Sequence, residues 1–385
     1  MTQIRIRTRQ LLHDESIRRI LPAGILGFLF LLVGTIPASA QTNDRGTDTR
    51  VERRSETEVY KKWVEVIDDN GYTYRSIMDG PFEARYYTLE NGLTVILSPN
   101  AVEPRIQTLI AVRAGSKHDP AEATGLAHYL EHMLFKGTDR YGSKNWQAEE
   151  RELAVIEALY SKYNKTTNPI ERQQIYRAID SVSGIAATHA IPNEYDRMVA
   201  TIGASGTNAF TSTEQTVYVN DIPSNQVDRW LTIEAERFRN PVFRLFHTEL
   251  EAVYEEKNRS LERDQSRMFE MLTADLFQNH PYGTQTTIGT IEHLKNPSLE
   301  EIGNYYDRYY VPNNMAILMV GDLDPEATVQ AIDRHFGSMK SKSIPSFDFE
   351  PEPIRQAPRE LEVVGPEPAQ IVMAWRMPEA GTPVA

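Results

Sequence analysis

Two histidines four residues apart, His128 and His132, and a carboxylate just before the second, Glu131, are the residues from which chemistry can first be argued. On a helix a four-residue step turns about 40° around the axis, so both imidazoles share one side. Neutral imidazoles placed this way make a two-point clamp for a metal ion. Glu131 sits on the neighbouring edge of that face, where it can take a proton from water without being a ligand. Two local ligands are too few for a structural zinc, and a catalytic one needs a third protein ligand with one position left open. The stretch Glu249-Leu-Glu-Ala-Val-Tyr-Glu-Glu256 supplies candidates, because Glu249 and Glu256 are seven residues apart and share a helix face. One would bind the ion while the other orients a ligand or the water from behind. Glu255 is a lesser candidate, and the competing meaning of such a run is a solvated acidic face. His247, His280 and His293 are isolated and read as structural.

Several elements must position these groups. Tyr60 to Ile77 contains strand-like pieces around Asp69-Asn70-Gly71. Tyr86-Tyr-Thr-Leu89 and Leu93-Thr-Val-Ile-Leu97 flank Glu90-Asn-Gly92, a second hairpin signal. Ile106 to Ala114 is apolar and β-branched, hence a strand, and Gly125 then opens the helix of His128 and His132. Downstream, Leu153, Ile156, Leu159, Tyr160 and Tyr163 recur at helical spacing, as do Ile175, Ile179, Val182 and Ala186. Lys165-Thr-Thr-Asn-Pro169 separates the two runs, which predicts a helical hairpin. Met268 to Phe277, with Met271, Leu272 and Leu276, reads as a core-packing helix.

Composition narrows the function. The 385 residues carry a formal charge of -13 and no cysteine. Disulfides and thiolate chemistry are excluded, so a metal must be held by His, Asp or Glu. No basic face offers itself to nucleic acid. Arg18-Arg19, an apolar run from Ile20 to Ile36 and Ala38-Ser-Ala40 have the order of a secretory signal peptide over residues 1–40. Cleavage after Ala40 would leave an exported chain, periplasmic or extracellular, with no stable membrane span and a net charge of -16. The residues that follow, from Gln41 to about Glu58, are polar and charged and predict a linker.

His128, Glu131 and His132 spell H-x-x-E-H, the inverted order of the H-E-x-x-H zinc peptidases. His128-Tyr-Leu-Glu-His-Met-Leu-Phe-Lys-Gly-Thr138 resembles the signature of the pitrilysin/insulinase metallopeptidases, which include the mitochondrial processing peptidases. Leu89-Glu-Asn-Gly-Leu-Thr-Val95, Ala114-Gly-Ser116, Asn208-Ala-Phe-Thr-Ser212, His280-Pro-Tyr-Gly283 and Tyr310-Val-Pro-Asn-Asn314 leading to Val320-Gly-Asp322 follow in the family's order. Together they cover residues from about 86 to 337. The resemblance implies one zinc ion held by His128, His132 and Glu256, Glu131 as general base and Glu249 as the acid behind the ligands. It also implies that Asn208 holds substrate near the metal. The strand through Ala209 would take a peptide as an added strand, so the substrate is an extended or unfolded peptide. The fold it implies is α+β: a mostly antiparallel β-sheet covered by helices, as in the processing peptidases.

Two departures from the family pattern stand out. Glu256 lies 124 residues after His132, further than the pattern has it, and the surplus falls at about 146–193, so the helical hairpin reads as an insertion beside the site. The expected organisation is a linker and short hairpin over 41–84, a catalytic domain over 85–340, a linker over 341–358 and the opening strands of a second, truncated domain of similar fold over 359–385. The resemblance implies a partner half, in the same longer chain or in another subunit. The expected function is a zinc-dependent endopeptidase; the alternative is a non-catalytic peptide-binding or interaction subunit of a peptidase complex.

Overall fold

The computed structural model describes residues 4–10 and 63–377, apart from 79, 81 and 297. The apolar run 20–36, Ala38-Ser-Ala40, the polar stretch 41–58 and the final residues 378–385 lie outside the described residues.

The strands are β1 (Ile4–Gln10), β2 (Trp63–Ile67), β3 (Thr73–Ile77), β4 (Arg85–Thr88), β5 (Thr94–Pro99), β6 (Arg105–Val112), β7 (Ser205–Thr211), β8 (Thr216–Pro223), β9 (Met315–Gly321), β10 (Arg359–Gly365) and β11 (Ile371–Ala374). Eight of them form one sheet in the order β2-β3-β4-β5-β9-β6-β8-β7. Every junction is antiparallel except β5 with β9. Both hairpin signals are realised: β2 pairs with β3 around Gly71 and β4 with β5 around Gly92, each glycine at positive φ. Alternation along β6 buries Ile106, Thr108, Ile110 and Val112 on one face, and the helices pack on that face.

The helices are α1 (Leu126–Met133), α2 (Trp146–Lys165), α3 (Pro169–His189), α4 (Glu194–Thr201), α5 (Val227–Arg237), α6 (Phe246–Leu261), α7 (Asp264–Leu276), α8 (Pro281–Thr284), α9 (Ile291–Leu294), α10 (Leu299–Tyr309) and α11 (Pro325–Phe336). Helices α2 and α3 form the hairpin read from the sequence. Asn145 caps the first through Ala148 N–H at 3.2 Å, and Asn168 caps the second through Ile170 N–H at 2.9 Å, with Pro169 at its first turn. The two apolar runs meet at Ile156, Tyr160, Ile175 and Ile179, all buried in the main core. None of the helices among the described residues is long and apolar enough to cross a membrane.

A smaller sheet has the order β10-β1-β11, so Ile4–Gln10, within the stretch read as a leader, is its central strand. Helix α7 packs Met268, Leu272 and Leu276 against Val363 of this sheet. Met271, expected in that core, is 40% exposed instead, because the buried face repeats every four residues from Met268. Residues 341–358 carry no regular structure, yet they are pinned. The Glu352 carboxylate accepts the N–H groups of Gln278, Asn279 and His280 at 3.0, 2.8 and 2.7 Å.

One buried cation holds much of the helix layer. Arg244, at the entry to α6, donates Nε to Glu149 of α2 at 2.9 Å, and both side chains are 1% exposed. Its other nitrogens donate to the carbonyls of Lys136 (2.7 Å), Thr138 (2.7 Å) and Tyr141 (3.2 Å) in the loop after α1. A lysine presents one compact charge and cannot span four acceptors. Replacing Arg244 by Met strands a buried carboxylate and three carbonyls. A loss of about 3–5 kcal/mol is expected, read as a lower urea midpoint at unchanged slope. A shift under about 1 kcal/mol would show that water replaces the guanidinium there.

Candidate metal centre and base

Helix α1 starts where Asp119 turns the chain. Its carboxylate accepts Gly125 N–H at 2.7 Å and Ala127 N–H at 2.9 Å, two of the donors a helix start leaves free. Gly125 takes φ +91°, and a Cβ there would lie 2.4 Å from the Ile288 carbonyl oxygen, so the position is closed to any other residue. The helix then buries Leu126, Ala127, Leu130 and Met133 and turns His128 and His132 towards α6.

Helix α6 is docked on α1 by its first residue. The rings of Tyr129 and Phe246 lie 4.9 Å apart, and the Tyr129 hydroxyl donates to the Phe246 carbonyl. Phe246, Leu250, Val253 and Lys257 form the buried stripe of α6, which leaves Glu249 and Glu256 together on its flank. The seven-residue spacing therefore puts both carboxylates on one face of the helix, as the sequence reading expected. Both carboxylates reach His132 from opposite sides of its ring: Glu249 Oε2 lies 3.4 Å from Nδ1 and Glu256 Oε2 lies 3.7 Å from Nε2.

Glu256 Oε2 is also 3.6 Å from His128 Nε2, and one ligand atom from each of His128, His132 and Glu256 lies within 4.8 Å of the others. Among the described residues no other group of three or more such side chains has this geometry. Ligands at ~2.0–2.1 Å from a tetrahedral zinc ion lie about 3.3–3.4 Å apart, so each His–Glu separation needs a shift of only tenths of an ångström, and the two imidazoles, within 4.8 Å, need to close by at most about 1.5 Å. Glu256 is 48% exposed, which leaves the outer side open to solvent. The residues present fit a three-ligand site with one position free. Glu255, the alternative, is not one of these three, and its carboxylate accepts from Asn258 of its own helix at 3.5 Å.

The electrostatics differ sharply between the two histidines. Burial, reinforced by the His132 charge, pushes His128 down to about 3, so it is neutral and ready to ligate at any working pH. Its Nδ1 is buried and has no hydrogen-bond partner among the described residues. Burial also opposes charge on His132, but the hydrogen bond to Glu249 and the charges of Glu131, Glu249 and Glu256 outweigh it and raise its pKa. Glu249 is held below the usual carboxylate range; burial works against this, but His132 and Lys136 win, the Lys136 ammonium lying 2.5 Å from Glu249 Oε1. Burial raises Glu131, offset only in part by Thr211 and His132. A carboxylate shifted that way is better matched to exchanging protons near neutrality.

Glu131 Oε2 accepts the Thr211 hydroxyl at 2.5 Å, which ties β7 to this carboxylate. Strand β7 ends the sheet order, so its outer backbone edge is unpaired within the sheet. Alternation puts Ala209 on the Thr211 side and Asn208 and Phe210 on the other, with Phe210 45% exposed. The β7–β8 turn is fixed from behind by Ser116 N–H to the Ser212 carbonyl at 3.0 Å and Lys117 N–H to the Thr213 carbonyl at 3.1 Å. Lys117 and Tyr282 both grip Glu214 in the same turn. A Cβ at Gly115 would lie 2.2 Å from the Ser212 carbonyl oxygen, which explains the glycine ahead of the helix. The three isolated histidines are satisfied locally: His247 Nδ1 meets the Tyr160 hydroxyl at 2.8 Å, His280 caps α8, and His293 Nδ1 meets Thr124 Oγ1 at 2.7 Å. Thr211 and Lys136 went unassigned in the sequence, although both stand inside motifs it displays.

Known proteins resemble this chain over the same region. The family described as Insulinase (Peptidase family M16) matches residues 94–169 and 186–290, a range that holds His128, Glu131, His132, Glu249 and Glu256. The description Peptidase M16 inactive domain matches 297–384, where none of those five lies. A probable mitochondrial-processing peptidase subunit beta of Arabidopsis thaliana is 25% identical over 271 residues, covering 70% of this chain and 41% of the relative. Insulin-degrading enzyme of Bos taurus is 24% identical over 282 residues, covering 71% and 23%. The crystal structure of a protease from Helicobacter pylori superposes with a TM-score of 0.53 at 24% identity, covering 69% of this chain and 53% of that one. The chain thus spans less than half the length of these two curated relatives.

Zinc binding should displace about one proton, from His132, because His128 is already neutral. Zinc affinity is then expected to rise about tenfold per pH unit from pH 5 and to flatten once His132 loses its proton, above its ordinary value near 6.5. Competition with a chelating dye across pH 5 to 8.5 measures it. A slope of two over that range would mean that His128 titrates as well.

Proposed function

We propose that this chain, which belongs to the insulinase family of peptidases, is a zinc-dependent endopeptidase acting on extended or unfolded peptides. The observation that carries the reading is the convergence of His128, His132 and Glu256 beside a buried carboxylate that is not itself one of the three. Those three residues would hold the ion, which supplies Lewis acidity, acidifying a water and polarising the scissile carbonyl. Glu131 takes the proton from the attacking water and passes it to the leaving amine. Glu249, fixed by Lys136, keeps Nδ1 of His132 occupied so that Nε2 faces the ligand cluster.

The substrate is bound by strand addition. An extended peptide pairs with the free edge of β7 through main-chain hydrogen bonds, with Ala209 supplying backbone and Asn208 a side chain beside it. Folded proteins present no such strand and are poor substrates. The α2–α3 hairpin is an addition to the family's framework; the insulinase match omits 170–185, inside α3, which supports this. The chain works with a second half, in one longer polypeptide or as a separate subunit, and acts after export to the periplasm or the cell exterior. A purely structural or peptide-binding subunit has no use for a base, so Glu131 favours the enzyme over that alternative.

Zinc content and cleavage of an unstructured peptide mixture test the proposal, with Glu131→Gln alongside. The wild-type chain is expected to bind about one zinc and to cut. Glu131→Gln should keep the zinc and lose about 10²–10⁴-fold in kcat. Cutting by both proteins would remove Glu131 from the mechanism. Zinc in both with cutting by neither would favour the peptide-binding alternative, or a requirement for the second half.

A further inference from the structure

We propose that Thr211 is the positioning residue for the base: its hydroxyl ties one oxygen of Glu131 to the edge strand and leaves the other for the transferred proton. This deepens the peptidase reading and rests on it. The proton count is what singles out the contact. Thr211 and Thr216 face each other at the last pair of the β7–β8 ladder, their hydroxyl oxygens 3.4 Å apart. The Thr216 hydroxyl donates to the buried Ala114 carbonyl at 3.0 Å, and a hydroxyl has one proton to give. The proton of Thr211 is therefore the only one available between the two, and it goes to the nearer carboxylate at 2.5 Å.

Among the described residues no other hydrogen-bond donor reaches the Glu131 carboxylate. A glutamate's last torsion is broad and nearly free, so without this bond the carboxylate would swing at the site. Thr211 itself cannot swing with it. Ser212 N–H donates to the Gln215 carbonyl at 2.8 Å, and the backbone of Ser116 and Lys117 holds the same turn from the α1 side. The base is thereby referenced to the strand that receives the peptide. A residue that only supported the fold would be read in stability or in substrate binding; a residue that aims the base is read in turnover.

The test compares Thr211→Val, which keeps the shape and removes the hydroxyl, with Thr211→Ser, which keeps the hydroxyl. Both are made in the full chain and assayed on a peptide that the wild type cuts. Thr211→Val is expected to lower kcat about 10- to 100-fold, with KM, zinc affinity and thermal midpoint close to wild type. Thr211→Ser should restore kcat to within about threefold. In the zinc-free protein, the Glu131 carboxyl carbon resonance should move in Thr211→Val and stay in Thr211→Ser. Unchanged kcat in the Val variant, an equal loss in both variants, or a loss carried by KM or zinc affinity would overturn the proposal. An unmoved resonance would do the same even if the wild type proved inert, an outcome that would count against cleavage by this chain alone and not against the contact.

Discussion

Two helices, 124 residues apart in the chain from His132 to Glu256, must be held so that three side-chain atoms meet, and the joints around them serve that constraint. Arg244 is central to it. The loop it laces leaves α1, and the helix it introduces is α6, so fixing one against the other fixes His132 against Glu249 and Glu256. The buried partner Glu149 extends the same grip to α2. Tyr129 and Phe246 add the apolar half of the clamp, with a ring contact and a hydrogen bond across the same junction. A guanidinium with four acceptors is costly to bury and costly to disturb, which suits a joint that must not drift.

Much of this was legible in the sequence because it is local. The turns at Gly71 and Gly92, the helix of His128 and His132, the two runs of the helical hairpin and the shared face of Glu249 and Glu256 all follow from spacings of a few residues. What stayed hidden is non-local. Nothing in Thr94–Pro99 announces a parallel partner at Met315–Gly321, which sits in the middle of the sheet. Nothing in Glu149 or Arg244 predicts their pairing across 95 residues. Met271 was misplaced because contact with β10 starts the buried face at Met268, and the four-residue repeat from there passes Met271 by. Residues 341–358 read as a free linker, since composition cannot show that Glu352 finds three aligned N–H groups at 278–280.

The two histidines of the motif, interchangeable on paper, are made unequal by depth. His128 is neutral because it is buried, and its second nitrogen has no partner among the described residues. His132 stands among three carboxylates and carries the site's coupling to protons. The pair thus divides two tasks that one ring cannot do at once: one offers a fixed lone pair, the other answers to the charge around it.

The open edge of β7 also has a cost of its own. Any unpaired strand accepts whatever extended backbone arrives first, including that of a second copy of the chain. Here the hazard is kept short. The ladder to β8 slips between Ser205 and Asn208, with Gly206 at φ +59°, so only Asn208 to Thr211 run in unbroken register. Four residues of true edge would be enough for the strand addition proposed above but are too few to nucleate a stable sheet between molecules, so crowding should cost this protein occupancy before it costs it solubility.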